Sequence, residues 1–160
     1  MKISKLFFPL LFVTLFFSCQ KDKCEGVTCE NGGICNDGNC NCLFMYDGNR
    51  CQDETRTAYY GTYIGESTAD NGSPYPDTVI LSTNNKGLEY LTWETEFNDL
   101  DVILVERKNA NVPEQVFLDA GIYVVKVSGS ATFDNSTLQM QFLVDFPGNP
   151  ENVSFVGTKQ

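Results

Sequence analysis

The sequence predicts two units of different kinds, a small disulfide-rich module followed by an antiparallel all-β domain. The all-β domain reads as a meander barrel, with a β-sandwich as the alternative. Three observations lead there. All seven cysteines fall between Cys19 and Cys51, and the last 109 residues hold none. Downstream of Cys51 the apolar residues alternate with polar ones at a period of two, the pattern of half-buried strands. No stretch of that region carries a convincing 3.6-residue period.

Composition removes whole classes of function before any motif is considered. The chain has no histidine, so His-based triads, general bases and metal ligands are absent. Its 11 basic residues face 21 acidic ones, a net charge of −10, and the resulting field repels phosphates. Nucleic acid is therefore not an expected partner. No phosphate-binding Gly-rich loop, nucleophile elbow or dinucleotide fingerprint occurs either. No cofactor and no enzyme activity are expected.

Taking the elements in order, residues 1–18 carry Lys2 and Lys5 and then a twelve-residue apolar run from Leu6 to Phe17. This is the pattern of an export signal, and the run is shorter than the roughly 20 residues a membrane-spanning helix requires. It ends at Ser18 and Cys19, where the chain resembles a bacterial lipoprotein precursor. That resemblance implies cleavage before Cys19 and acylation of its thiol and new amino group, anchoring the protein to a membrane. Cys19-Gln20-Lys21-Asp22 is similar to the surface-export signal of some Gram-negative lipoproteins, which implies an outer-membrane location facing the exterior. Several buried acyl chains, at about 0.8 kcal/mol per CH₂, make a stable anchor. Residues 19–23 then form the lipidated cysteine and its linker, and the mature chain would have 142 residues and a net charge of −12.

From residue 24 to 51 the spacing is C-x4-C-x5-C-x4-C-x1-C-x8-C. A 28-residue segment cannot bury enough apolar surface to fold unaided, so covalent staples must replace a core. Six cysteines permit 15 pairings, and spacing alone does not choose among them. Zinc is disfavoured, since an exported protein meets oxidising conditions and paired C-x2-C elements are missing. Cys29-Glu30-Asn31-Gly32-Gly33-Ile34-Cys35 and the loop from Cys42 through Tyr46 and Gly48 to Cys51 resemble an EGF-like module. The resemblance implies Cys24–Cys35, Cys29–Cys40 and Cys42–Cys51 pairs, and it leaves Cys19 as the one unpaired cysteine. Lys23 stands where calcium-binding relatives carry an acid or amide, so calcium is not expected at this module. Gly32-Gly33 and Asp37-Gly38 are expected to supply positive φ in tight reversals. Two short paired strands, around Ile34 and Asn39–Asn41, are the most such a module is expected to hold.

The boundary falls near residues 52–56, and the all-β domain takes 56–160. Leu138, Met140, Phe142, Val144 and Phe146 share one parity, with Gln139, Gln141 and Asp145 on the other. Similar runs predict strands at Thr57–Glu66, Thr78–Thr83, Leu88–Glu94, Val102–Arg107, Gln115–Leu118, Ile122–Thr132 and Val153–Thr158. Turn-forming clusters at residues 70–74, 84–87, 134–135 and 147–150 separate them. Tyr60-Gly61-Thr62-Tyr63-Ile64-Gly65 and the closing Ser154-Phe155-Val156-Gly157-Thr158-Lys159 resemble the first and last strands of lipocalin-like β-domains.

Candidate chemistry in this domain is sparse. Asp53 onward holds 16 acids against 6 basic residues, most tightly at Glu94, Glu96, Asp99 and Asp101. Converging carboxylates can hydrolyse glycosides or hold calcium. The plainer reading is a solvated strand end and turn between Trp93 and Leu100, and no catalytic residue or metal site is expected. Trp93 and Tyr75, beside polar turns, are the candidate ligand contacts, while most other aromatics belong to the core. Asn71, Asn135 and Asn152 begin N-glycosylation patterns, and Asp77-Thr78-Val79 resembles a bacterial O-glycosylation motif. The expected function is a non-catalytic, lipid-anchored binding or adhesion protein with an unidentified protein or glycan partner. The alternatives are a lipocalin-like carrier of a small apolar ligand and, third, a hydrolase using the acidic cluster.

Overall fold

The computed structural model describes residues 21–70, 72–119, 121 and 123–160. The export segment 1–18, Cys19 and Asn71 lie outside the described residues. Twelve strands and one short 3-10 helix make up the described fold. In the module, β1 (Ile34–Asn36) pairs with β2 (Asn39–Asn41), and β3 (Tyr46–Asp47) pairs with β4 (Asp53–Glu54). The second ladder exceeds the single pair the sequence predicts. It forms because the chain leaving Cys51 turns back along the Cys42–Cys51 loop, which carries the module's boundary to Glu54.

Disulfides join Cys24 to Cys35, Cys29 to Cys40 and Cys42 to Cys51, the pairing that the EGF-like resemblance implies. Positive φ occurs at Gly32 (76°), Asp37 (53°) and Gly38 (87°), as tight reversals require. Gly33 is glycine for a different reason. A Cβ there would lie 2.5 Å from the Cys51 sulfur, so the packed disulfide leaves no room for a side chain.

The remaining strands are β5 (Gly61–Ala69), β6 (Tyr75–Thr83), β7 (Tyr90–Glu94), β8 (Leu100–Leu104), β9 (Asn109–Asp119), β10 (Val124–Asp134), β11 (Thr137–Phe146) and β12 (Asn149–Lys159). Each pairs antiparallel with its sequence neighbour and β12 pairs with β5, closing an eight-stranded meander barrel. The sandwich alternative is thereby excluded. Inward positions are mostly apolar, with Ser67 the buried polar exception: Tyr63, Phe133, Phe155, Leu81, Leu91, Leu100, Leu138 and Met140 are among the largest fully buried side chains. Eight strands enclose a space that side chains of this size can occupy. The outer wall is mixed: Thr62, Glu66, Thr68, Thr78, Ser130, Gln139, Gln141, Asn152, Ser154 and Thr158 stand beside exposed Ile64, Ile80, Val116 and Val156. Polar residues outnumber apolar ones there, unlike the apolar outer band of a membrane-spanning barrel.

Closure depends on one glycine pair. Gly65 lies directly opposite Gly157 in the β5–β12 ladder. A Cβ on Gly65 would sit 2.0 Å from the Val156 carbonyl oxygen, and one on Gly157 would meet the Phe155 ring at 2.4 Å. The two strands approach to a distance only glycine permits, and Phe155 lies across the gap.

Several expectations about strands need correction. The strand predicted at Val102–Arg107 runs from Leu100 to Leu104, and the one predicted at Val153–Thr158 extends over Asn149–Lys159, into the predicted 147–150 turn. The strand predicted from Thr57 starts at Gly61, because Thr55–Tyr59 forms the 3-10 helix. Tertiary contacts override the local alternation there: the Arg56 guanidinium donates to the carbonyls of Asn84 and Gly87, both at 2.7 Å. The predicted four-residue Gln115–Leu118 is the upper part of an eleven-residue strand. Its lower half, Asn109-Ala110-Asn111-Val112-Pro113, is too polar and Pro-containing to read as a strand. Pro113 is accommodated where the β9–β10 register slips between Val127 and Gly129, so no ladder bond is lost to its missing N–H.

Candidate functional site

The up-and-down order gives the barrel two unlike ends. The proximal end collects the incoming chain and the loops 84–89, 105–108 and 135–136, whereas the distal end collects 70–74, 95–99, 120–123 and 147–148. The proximal end is capped by the 3-10 helix. Tyr59 stacks on Phe133 with ring centroids 4.0 Å apart, and its hydroxyl donates to the Arg107 carbonyl. The Tyr63 hydroxyl donates to the Tyr59 carbonyl at 3.0 Å. Burial, with a smaller contribution from neighbouring Tyr59, pushes the Tyr63 phenol up to about 12. Burial also raises Tyr59, reinforced by Asp47.

The module is fastened to this capped end. Thr55 donates from its backbone N–H to the Met45 carbonyl (2.9 Å) and from its hydroxyl to the Phe44 carbonyl (2.8 Å). Arg107 reaches the Asp47 carboxylate at 3.2 Å from the barrel side. Five of the domain's six basic residues, Arg56, Lys86, Arg107, Lys108 and Lys159, lie at this end.

The distal end has the opposite character. Its loops and the strand termini that flank them carry Asp70, Glu94, Glu96, Asp99, Asp119, Asp145 and Glu151 against a single basic residue, Lys126, which lies opposite Asp145 and pairs with Glu114 at 2.7 Å. Between the acids stand exposed aromatics: Tyr123 (58% exposed), Phe97 (54%), Tyr75 (46%) and Phe146 (40%). Phe97 is held in place by an edge contact with Phe117, centroids 5.2 Å apart, and by its N–H donating to the Thr95 hydroxyl.

The sequence-predicted candidates separate under this geometry. Tyr75 stands half-exposed on the distal rim, at the first position of β6. Trp93 is buried inside the barrel with its ring edge against Phe142, centroids 5.2 Å apart, so it offers no outer face for stacking on a sugar. Glu94, Glu96 and Asp99 are exposed on the distal rim, but Asp101 points away toward Lys86 (2.5 Å) and Asn84 (3.0 Å). The four carboxylates do not converge, and among the described residues no group of three or more His, Cys, Asp or Glu is placed to hold a metal ion. Thr78 is exposed on the outer wall, and the preceding Asp77 accepts from Ser67 (2.5 Å) and from the Thr78 N–H (2.7 Å).

Sequence reasoning missed the exposed ring formed by Phe97, Tyr123 and Phe146, because each reads singly as a core aromatic near a turn. Their common feature is position: each adjoins one of the alternate turns that a meander collects at one end.

No protein-family model matches the chain, and no curated protein matches it. Among solved structures it is similar to a Bacteroides fragilis protein provisionally named an outer membrane protein. The two are 14% identical, the alignment covers 66% of this chain and 52% of that one, and the TM-score is 0.42. Among the described residues no helix is long and apolar enough to cross a membrane.

Proposed function

We propose that this chain is an outer-membrane lipoprotein displaying a non-catalytic binding domain, anchored through Cys19 and turned toward the exterior. The observation that carries the reading is the polarity of the barrel. The chain enters from the module at the capped, basic end, and the aromatic and acidic rim lies at the opposite end. An anchor ahead of the module therefore directs the rim away from the membrane, where loops meet partners. The outer wall supports the same arrangement, since its Ile64, Ile80 and Val156 are scattered among polar residues and form no apolar band facing lipid, which leaves attachment to the amino terminus. The bulky inward side chains weigh against the carrier reading, and the divergent carboxylates weigh against the hydrolase reading.

The test is expression with the native signal in a Gram-negative host, followed by protease shaving of intact cells. Loss of the barrel from intact cells, with a membrane-retained fragment acylated on Cys19, is the expected result. A barrel that becomes sensitive only after the outer membrane is permeabilised would overturn the exterior orientation. A soluble product without acyl mass would overturn the anchor.

A further inference from the structure

The outer wall contains a hollow whose lining follows from strand register. Ser130 of β10 lies opposite Gln141 of β11, Gln141 opposite Ser154 of β12, and Ser154 opposite Thr68 of β5. All four belong to the outward parity, so one polar row crosses four strands. One step toward the distal end, Leu143 lies opposite Asn152, whose N–H and side-chain amide both donate to the Asp70 carboxylate at 3.2 Å. These residues line a concavity of about 410 Å³, within the size range of small-ligand sites.

The hollow has a backbone cause. Gly129, next to Ser130, faces inward, where a Cβ would lie 2.3 Å from the Gln141 carbonyl oxygen and 2.6 Å from the Phe142 Cα. β10 therefore presses closely on β11, immediately beside the register slip against β9. A bulge next to a glycine bends a strand and increases its twist, and the wall folds inward at that point.

The lining chemistry selects the ligand class. Three hydroxyls (Thr68, Ser130, Ser154), two amides (Gln141, Asn152) and one carboxylate (Asp70) offer many neutral donors and acceptors. No lysine or arginine lines the hollow, and the chain is strongly acidic, so a phosphate, sulfate or carboxylate ligand would lack a counter-charge. Of the apolar lining residues, Phe142 and Val153 belong to the inward parity and Leu143 alone faces outward, too little to hold an acyl chain. The side chains of Ser130 and Gln141 make no hydrogen bond to another described residue, which leaves them directed to solvent. We infer that this outer-wall hollow is a binding site for an uncharged saccharide, with Gln141, Asn152 and Asp70 taking the sugar hydroxyls. The site shares Asp70 with the distal rim but depends on neither the lipid anchor nor the rim aromatics, so it stands or falls separately from the proposed function.

The experiment is amide NMR of the full mature chain titrated with four neutral hexasaccharides, those of maltose, cellulose, xylan and mannan type, up to about 5 mM. A heparin hexasaccharide and phosphatidylglycerol vesicles serve as contrasts. Saturable shifts centred on Thr68, Ser130, Gln141 and Asn152 with at least one neutral probe are expected. Gln141→Ala and the groove-filling Ser130→Tyr should each weaken that binding by about tenfold while Trp93 fluorescence stays native, which separates lost binding from lost fold. No saturable shift with any neutral probe would overturn the inference, as would shifts confined elsewhere, binding indifferent to both variants, or preference for either contrast.

Discussion

The module and the barrel meet at Glu54 and Thr55, and different forces hold them. Between residues 21 and 54 the only buried side chain is Cys51, itself half of a disulfide. Three crosslinks closing loops of 11, 11 and 9 residues do the work of a core, each contributing about 2–4 kcal/mol by restricting the unfolded chain. The barrel has no cysteine and buries nineteen hydrophobic side chains in one cluster. Redox state should therefore govern one unit and packing the other. The difference also fits the proposed roles, because a crosslinked spacer keeps its shape with little mass beside an anchor, whereas a packed barrel can carry variable loops.

The comparison can be broken from the barrel side first, where the largest effect is expected. Gly65→Val places a branched side chain against the backbone of Val156 and Gly157, with no flexible group able to move aside. A loss of about 3 kcal/mol or more is expected, read as an early transition of Trp93 fluorescence. Because Trp93 is the single tryptophan, its signal reports the barrel alone. The three disulfides should map unchanged in the same sample, and scrambled pairing would show that the module depends on the barrel.

A smaller effect is expected at the weakest seam of the barrel. β8 and β9 share only the register pairs Ile103↔Asn111 and Leu104↔Ala110. Above them the Gln115 side chain stands in for a strand. Its Oε1 accepts the Asp101 N–H (2.7 Å) and its Nε2 donates to the Asp101 carbonyl (2.9 Å). Gln115→Leu leaves both backbone groups without these partners and should cost about 1–3 kcal/mol. Hydrogen exchange should quicken at Asp101 and the 95–99 loop, and exchange unchanged at Asp101 would remove the staple role.

The mildest test is alkaline. Tyr63 titrates near 12 in the folded barrel against an ordinary 10.0, so the native state holds the proton more tightly than the unfolded chain does. Its contribution is complete below pH 10 and is lost as the pH rises toward 12. Barrel stability should fall across that window, and Tyr63→Phe should flatten the fall while costing about 1 kcal/mol at neutral pH through the lost bond to Tyr59. Raised Tyr59 preserves part of the slope. An identical pH profile in the variant would exclude Tyr63 as its source.

What the sequence reveals and conceals follows from the range of the forces involved. The period of two identified the barrel strands and the inward set, since Leu138, Met140 and Phe155 are buried as their parity requires. Cysteine spacing marked the module because crosslinks are chemically distinctive. The cap was hidden, since Thr57 and Tyr59 alternate like a strand and only the distant carbonyls of Asn84 and Gly87 make Arg56 turn the chain into a 3-10 helix. Trp93 looked available because Glu94 and Glu96 follow it, yet parity carries it inside. The outer hollow was invisible for a similar reason. Ser130, Gln141, Ser154 and Thr68 become neighbours only once four strands are set in register.

The separation of the two units is tested most directly by hydrogen exchange of the mature chain before and after reduction under native conditions. Amides of residues 24–54 should lose protection, while 61–159 keep theirs. Thr55, whose N–H donates to the Met45 carbonyl, should lose protection with the module, whereas the 3-10 helix beyond it should stay in place, because the Arg56 and Tyr59 side chains are held by the barrel. Loss of protection in the barrel strands together with the module would contradict the account and show a single cooperative unit.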